Sequence, residues 1–321
     1  ALGEAFPHVD LYLANQGDLI LAASRSPLPR ASYPAGQSVD FAVEMALVGL
    51  GSAADFEVRR LGDRRLLDAY VRLAEVGPHD DFHPVVALNA PRARFKNASA
   101  DWLLRLETTG LPVLEFVAGG EVIPRDALLT EPSVAGSLSL QLALEARSAR
   151  ADMLGEPVGR PISELALAEA TRELRTLSAQ AIPQAYEGRW LAAAAKVAEG
   201  TLAELSPADA RGLWIEPAWY QAPEAPESVR RVLQAYAATA RRDHVEMRRA
   251  GLAALEVLDP VIAPLLLREH MLVIARLGAI GEEDLEGSVA IEREHGAAVP
   301  SGEGAAYALV RSFLLAWTEI A

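Results

Sequence analysis

The stretch ESVRRVLQAYAATARRDHVEMRRAGLAALEVLDPVIAPLLLREHMLVIARL, residues 227–277, decides the fold. Apolar residues recur in it at helical spacing, and three helices are expected over 227–242, 244–258 and 261–277. Pro260 stands where one helix must stop and another start. Ala250, Ala253, Ala254, Leu255 and Leu258, then Leu265, Leu272 and Ala275, alternate small and large side chains as closely packed helices do. Joints this short leave successive helices antiparallel, so a stacked array of helix hairpins is the natural architecture.

The same Ala/Leu-rich texture extends in both directions. Further helices are expected over 134–154, 162–177, 184–205, 282–294 and 304–320, punctuated by Pro161, Pro183, Pro207 and Pro300. Between Pro217 and Pro226 lies a proline-rich loop that carries Trp219 and Tyr220. Residues 111–132 read as a linker, with a strand expected at Val113 to Val117 and a turn at Gly119-Gly120.

The N-terminal third differs. Val9-Asp10-Leu11-Tyr12-Leu13 and Leu19-Ile20-Leu21-Ala22-Ala23 flank Asn15-Gln16-Gly17-Asp18, the pattern of a β-hairpin. The nearly continuous apolar runs suggest strands covered on both faces. Helices are expected over 38–50, with Ser38 as N-cap, and over 55–59 and 63–76, and a short strand at Val85 to Leu88. A lone hairpin is marginal in water, and few other strands are in view to join it. The chain therefore reads as the C-terminal part of a larger polypeptide. The expected class is mainly α: a small α/β remnant over 1–110, the linker, and a helical repeat-like array over 133–321.

Half of the 321 residues are hydrophobic and 23% are charged, which excludes a disordered chain. A net charge of −14 argues against nucleic-acid binding, which needs clustered lysine and arginine. With no cysteine, disulfides, thiolate metal sites and cysteine nucleophiles are excluded together. No apolar run is long enough to span a bilayer, and no signal peptide opens the sequence.

Phe6-Pro7-His8-Val9-Asp10-Leu11-Tyr12, followed by Gly17-Asp18-Leu19-Ile20-Leu21-Ala22-Ala23-Ser24, resembles the final strand pair of the polyamine aminopropyltransferases, in particular the spermidine synthase-like domains of larger bacterial proteins. His79-Asp80-Asp81-Phe82-His83-Pro84 and the trailing Ala90-Pro91-Arg92 resemble that family's late Asn-Thr-Asp-Asp-x-Pro phrase, with Pro78 and His79 in place of its Asn and Thr. The resemblance covers about the first 95 residues. It implies the terminal hairpin of a methyltransferase-like fold, a cytoplasmic location with tethering to a membrane only through an upstream part, and a substrate cleft bordered by His79, Asp80, Asp81 and His83. The family's cofactor loop and catalytic Asp would lie upstream, so no catalytic residue is assigned. No cofactor is expected here, decarboxylated S-adenosylmethionine belonging to the upstream half. Residues 244–277 resemble a tetratricopeptide-like unit.

Two groups remain as candidate sites. His79, Asp80, Asp81 and His83 form the only dense set of potential metal ligands in the sequence, although loop caps explain the aspartates as well, and no metal is assigned. Trp214, Trp219 and Tyr220, with Arg241 and Arg242, are candidates for binding a protein partner or the upstream part of the same polypeptide; the alternative for the aromatics is to fill gaps between helices. Arg230-Arg231, Arg241-Arg242 and Arg248-Arg249 make a basic strip whose plainest reading is a solvated helix face. His8 reads as structural, and His244, His270 and His295 as solvated. The expected function is a non-catalytic scaffold; the alternative is an enzyme, aminopropyltransferase-like or metal-dependent, with its cleft at the His79–His83 loop.

Overall fold

The computed structural model describes residues 5–13, 19–29, 38–47, 50, 53–57, 59–74, 106, 109–117, 138–178, 186–215, 225–299 and 306–320. Its elements are β1 (His8–Leu13), β2 (Leu19–Ser24), α1 (Val39–Leu47), α2 (Ala53–Glu57), β3 (Arg60–Asp63), α3 (Arg64–Leu73), α4 (Val113–Val117), α5 (Leu138–Leu154), α6 (Leu165–Ser178), α7 (Glu187–Thr201), α8 (Pro207–Trp214), α9 (Glu227–Arg241), α10 (His244–Val257), α11 (Leu265–Gly281), α12 (Leu285–His295) and α13 (Ala306–Thr318). The molecule is mainly helical with one small antiparallel sheet.

That sheet has the order β2-β1-β3. Leu11 lies opposite Leu21 in β2 and Gly62 in β3, with an irregularity in the β1–β3 ladder after Leu11. The expected hairpin is present, and β3 gives it a third strand that its Arg-Leu-Gly-Asp sequence does not advertise. Asp63, expected inside a helix, is instead the last residue of β3 and the N-cap of α3, accepting a hydrogen bond from the Arg65 amide. Side chains alternate across β1: Val9 and Leu11 are buried in the core, while His8, Asp10 and Tyr12 take the opposite face. The expectation that both strands are covered on two faces fails at β2, where Ile20 is 56% and Leu21 42% exposed.

Beneath the sheet, α3 buries Leu66 and Ala69 and packs against α13. One core cluster runs from Val9 and Leu11 through these helices to Trp317, so sheet and helices share their apolar interior. Val113 to Val117, expected as a strand, is the short helix α4. Gly110, at φ 71°, turns the chain ahead of it, and Val113 and Val117 then point together into the core. Tertiary burial overrides the β preference of the valines.

Two hairpins, α9–α10 and α11–α12, are built alike. Pro226 and Pro264 each directly precede the first helix of a pair. Arg242 and Glu283 each close that helix in the left-handed conformation, at φ 56° and 62°. The next amides, of Asp243 and Asp284, donate back to Ala238 O and Ala279 O, and their carboxylates cap the following helix at Glu246 N and Gly287 N. Gly251 and Gly278 let α10 and α11 touch: a Cβ on Gly278 would stand 2.4 Å from the Arg248 amide nitrogen.

Expected and observed helices agree closely from α9 to α13, apart from α11, which runs from Leu265 to Gly281 and leaves Val261 in an exposed turn, and α12, which starts at Leu285 and not at Glu282. The helix expected over 184–205 is α7, and α8 follows it unexpected, started by Ser206 as N-cap and Pro207 in its first turn. The expected strand Val85 to Leu88 and the Gly119-Gly120 turn lie outside the described residues.

Candidate functional site

Alternation along β1 places three polar side chains on the face away from the core, and the chain builds a wall around them. Pro7, Pro27, Leu28 and Pro29 supply an apolar rim, Glu57 stands at the end of α2, and Arg60, Asp63 and Arg64 come from the β3–α3 junction. With His8, Asp10 and Tyr12 these enclose a cleft of about 260 Å³. Arg60 Nη2 donates to Asp10 Oδ1 at 2.8 Å, and both side chains are 15% exposed. Burial opposes the Arg60 charge, yet the bond to Asp10 and its field outweigh that and raise the guanidinium pKa. Burial pushes the Asp63 carboxyl up, against the two amides that hydrogen-bond it.

A second polar centre lies inside the helices. Tyr236 Oη is 3.0 Å from His270 Nδ1, the His270 ring packs on Tyr307 at 5.0 Å, and Tyr236 packs on Trp214 at 4.9 Å. The Tyr307 hydroxyl donates to Thr109 O. Contrary to its expected solvation, His270 is fully buried, which lowers its pKa to about 3 and keeps it neutral at physiological pH. Its Nε2 has no partner among the described residues. His244 is half-buried, its Nδ1 2.8 Å from Gly281 O. Nearby, Glu292 holds two arginines, Arg276 and Arg311, at the α11–α12–α13 junction.

The candidate residues named from sequence fare differently. His79, Asp80, Asp81, His83, Trp219 and Tyr220 lie outside the described residues. Trp214 is wholly buried and its indole N–H donates to Thr201 Oγ1, so it fills the gap between α7, α8 and α9. Arg242 is drawn inward by Glu115 of α4, with the Leu202 carbonyl also in reach, whereas Arg241 is exposed. The rest of the basic strip is largely matched by its own chain: Arg231 pairs with Glu227, Arg248 with Glu282 and Asp284, and Arg249 with Glu246. Only Arg241 of the candidate arginines is left facing solvent.

Among the described residues, large apolar side chains are exposed on β2 and α1 and also in the helical part, at Leu165, Val245, Val261 and Ile262. Among the described residues β2 pairs with β1 alone, and Leu19 to Ser24 carries no charge or proline to blunt its outer edge. Further on, no described side chain of α1 is buried, although Val39, Phe41, Val43 and Leu47 are large and apolar. Asp40 and Glu44 form an acidic stripe along that helix.

Sequence reasoning missed the cleft because its residues come from four separate stretches. The one signal was polar residues at every second position of β1, His8, Asp10 and Tyr12, inside an otherwise apolar run. Among the described residues no group of three or more histidine, aspartate or glutamate side chains is arranged to hold a metal ion, and no helix is long and apolar enough to cross a membrane. Compared with known proteins, the chain matches no family model, no curated protein and no solved structure.

Proposed function

We propose that this chain works by contact: it is the non-catalytic C-terminal portion of a spermidine synthase-like polypeptide, a helical scaffold that attaches through its N-terminal sheet. The observation that carries this reading is the uncharged, apolar outer edge of β2, which has no partner strand among the described residues, together with α1, none of whose described side chains is buried. An edge of that kind pairs with another strand or aggregates. The likeness of the β1–β2 hairpin to the last strands of the spermidine synthase-like fold names the partner: the nucleotide-type sheet that would precede it. The paired hairpins α9–α10 and α11–α12 then serve as a rigid body that holds this surface and presents exposed groups such as Arg241.

Two measurements test the reading. Incubated with putrescine and decarboxylated S-adenosylmethionine, the chain alone forms no spermidine detectable by mass spectrometry; turnover would overturn the proposal. Expressed beside the preceding nucleotide-type part of the same gene product as a separate polypeptide, it co-purifies with that part. Ile20→Lys with Leu47→Glu abolishes the complex and leaves thermal unfolding unchanged. Absence of a complex with the unaltered chain contradicts the proposal.

A further inference from the structure

We infer that the cleft over the outer face of β1 is a binding site for a small zwitterion, an α-amino acid with an apolar side chain. The inference is independent of the scaffold reading, since it rests on the cleft lining and not on β2 or α1. Two guanidinium groups, Arg60 and Arg64, and three carboxylates, Asp10, Glu57 and Asp63, face one concavity together with His8. A simple anion entering it meets the three carboxylates, and a simple cation meets both arginines. A molecule carrying one charge of each sign complements both sets at once, and discrimination by such paired attraction and repulsion is how charged sites select partners.

The internal ion pair leaves capacity for a ligand. The Asp10 bond uses one of the five N–H donors of Arg60, holding that side chain in place at the floor of the cleft. Arg64, whose side chain is 41% exposed, turns toward Asp68 at 3.3 Å and stands at the rim. A ligand carboxylate is taken by Arg64 with the remaining donors of Arg60, and an ammonium by Glu57 and Asp63.

The rest of the wall fits a short apolar side chain. Pro7, Pro27, Leu28 and Pro29 offer hydrocarbon and no side-chain hydrogen-bonding groups, with the Tyr12 ring beside them. Proline fixes its own backbone angle, so this wall loses little freedom when a ligand arrives. The volume, about 260 Å³, falls below the range of drug-sized pockets and suits a molecule the size of an amino acid.

Isothermal titration of the chain with L-leucine, isovalerate and isoamylamine tests the inference, because the second ligand lacks the ammonium and the third lacks the carboxylate. Saturable binding of L-leucine is expected, with each analogue weaker by about tenfold or more. Arg64→Gln and Glu57→Gln, which leave the Asp10–Arg60 pair intact, each weaken leucine binding about fivefold or more, with thermal unfolding unchanged. No saturable heat up to about 10 mM leucine overturns the inference. So does equal binding of the three ligands, or leucine binding that neither substitution alters.

Discussion

The sheet end and the helical end of this molecule treat apolar surface in opposite ways. From α7 to α13 nearly every large apolar side chain on an inward face is buried, down to the Trp190, Trp214 and Tyr236 rings. Around β2 and α1, Ile20, Leu21, Val39, Val43 and Leu47 stay in solvent, while the outward face of β1 collects charge in a cleft. The helical body buries most of its large apolar side chains, with Val245, Val261 and Ile262 as exceptions. The sheet end leaves such side chains exposed, and both proposals made above, contact and ligand capture, rest on that end.

Breaking the rigid half should have the largest effect. Trp214→Ala removes a fully buried ring and its bond to Thr201, and should cost about 3–5 kcal/mol in denaturant unfolding. A loss under about 1 kcal/mol would mean that this aromatic does not tie α7, α8 and α9 together.

Acid comes next. His270 has a pKa of about 3 in the folded chain against an ordinary value of 6.5, so the unfolded chain binds the extra proton between those values. Stability contributed by the neutral ring is therefore full above pH 6.5 and is lost as pH falls toward 3. Roughly 2 kcal/mol should go between pH 6.5 and pH 5. His270→Gln should flatten that slope, as read from urea midpoints at each pH.

Asp284→Ala removes an N-cap and one of the two carboxylates that pair with Arg248, and should lower the urea midpoint by less than Trp214→Ala does. The Asp284 carboxyl is held below its ordinary range by the Gly287 amide and by Arg248. Its contribution is thus present at neutral pH and fades in acid. At the other extreme, Ile20→Lys and Leu47→Glu touch the exposed half and should change the stability of the isolated chain by less than about 0.5 kcal/mol. A much larger loss from either would show that these side chains are already engaged within the chain.

Legibility in the sequence followed the same divide. Long Ala/Leu segments punctuated by proline were readable because those signals are local, although the caps Asp243 and Asp284 were not singled out. What else escaped depended on tertiary context. Val113 and Val117 look like a strand until burial of both on one face makes a helix turn the better arrangement. The Arg60–Asp10 pair joins residues fifty positions apart, which no spacing rule reveals. His270 gives no hint of burial beside Arg268 and Glu269, because the neighbours that enclose it, Tyr236 and Tyr307, lie in other helices.

Native-state amide hydrogen exchange on the isolated chain tests the contrast most directly. Amides of α9 and α11 should exchange only through global unfolding, while those of α1 and the outward-facing amides of β2 exchange through local opening, orders of magnitude faster. Protection of α1 and the β2 edge equal to that of α11 would mean that the sheet end is already closed, and would contradict the account.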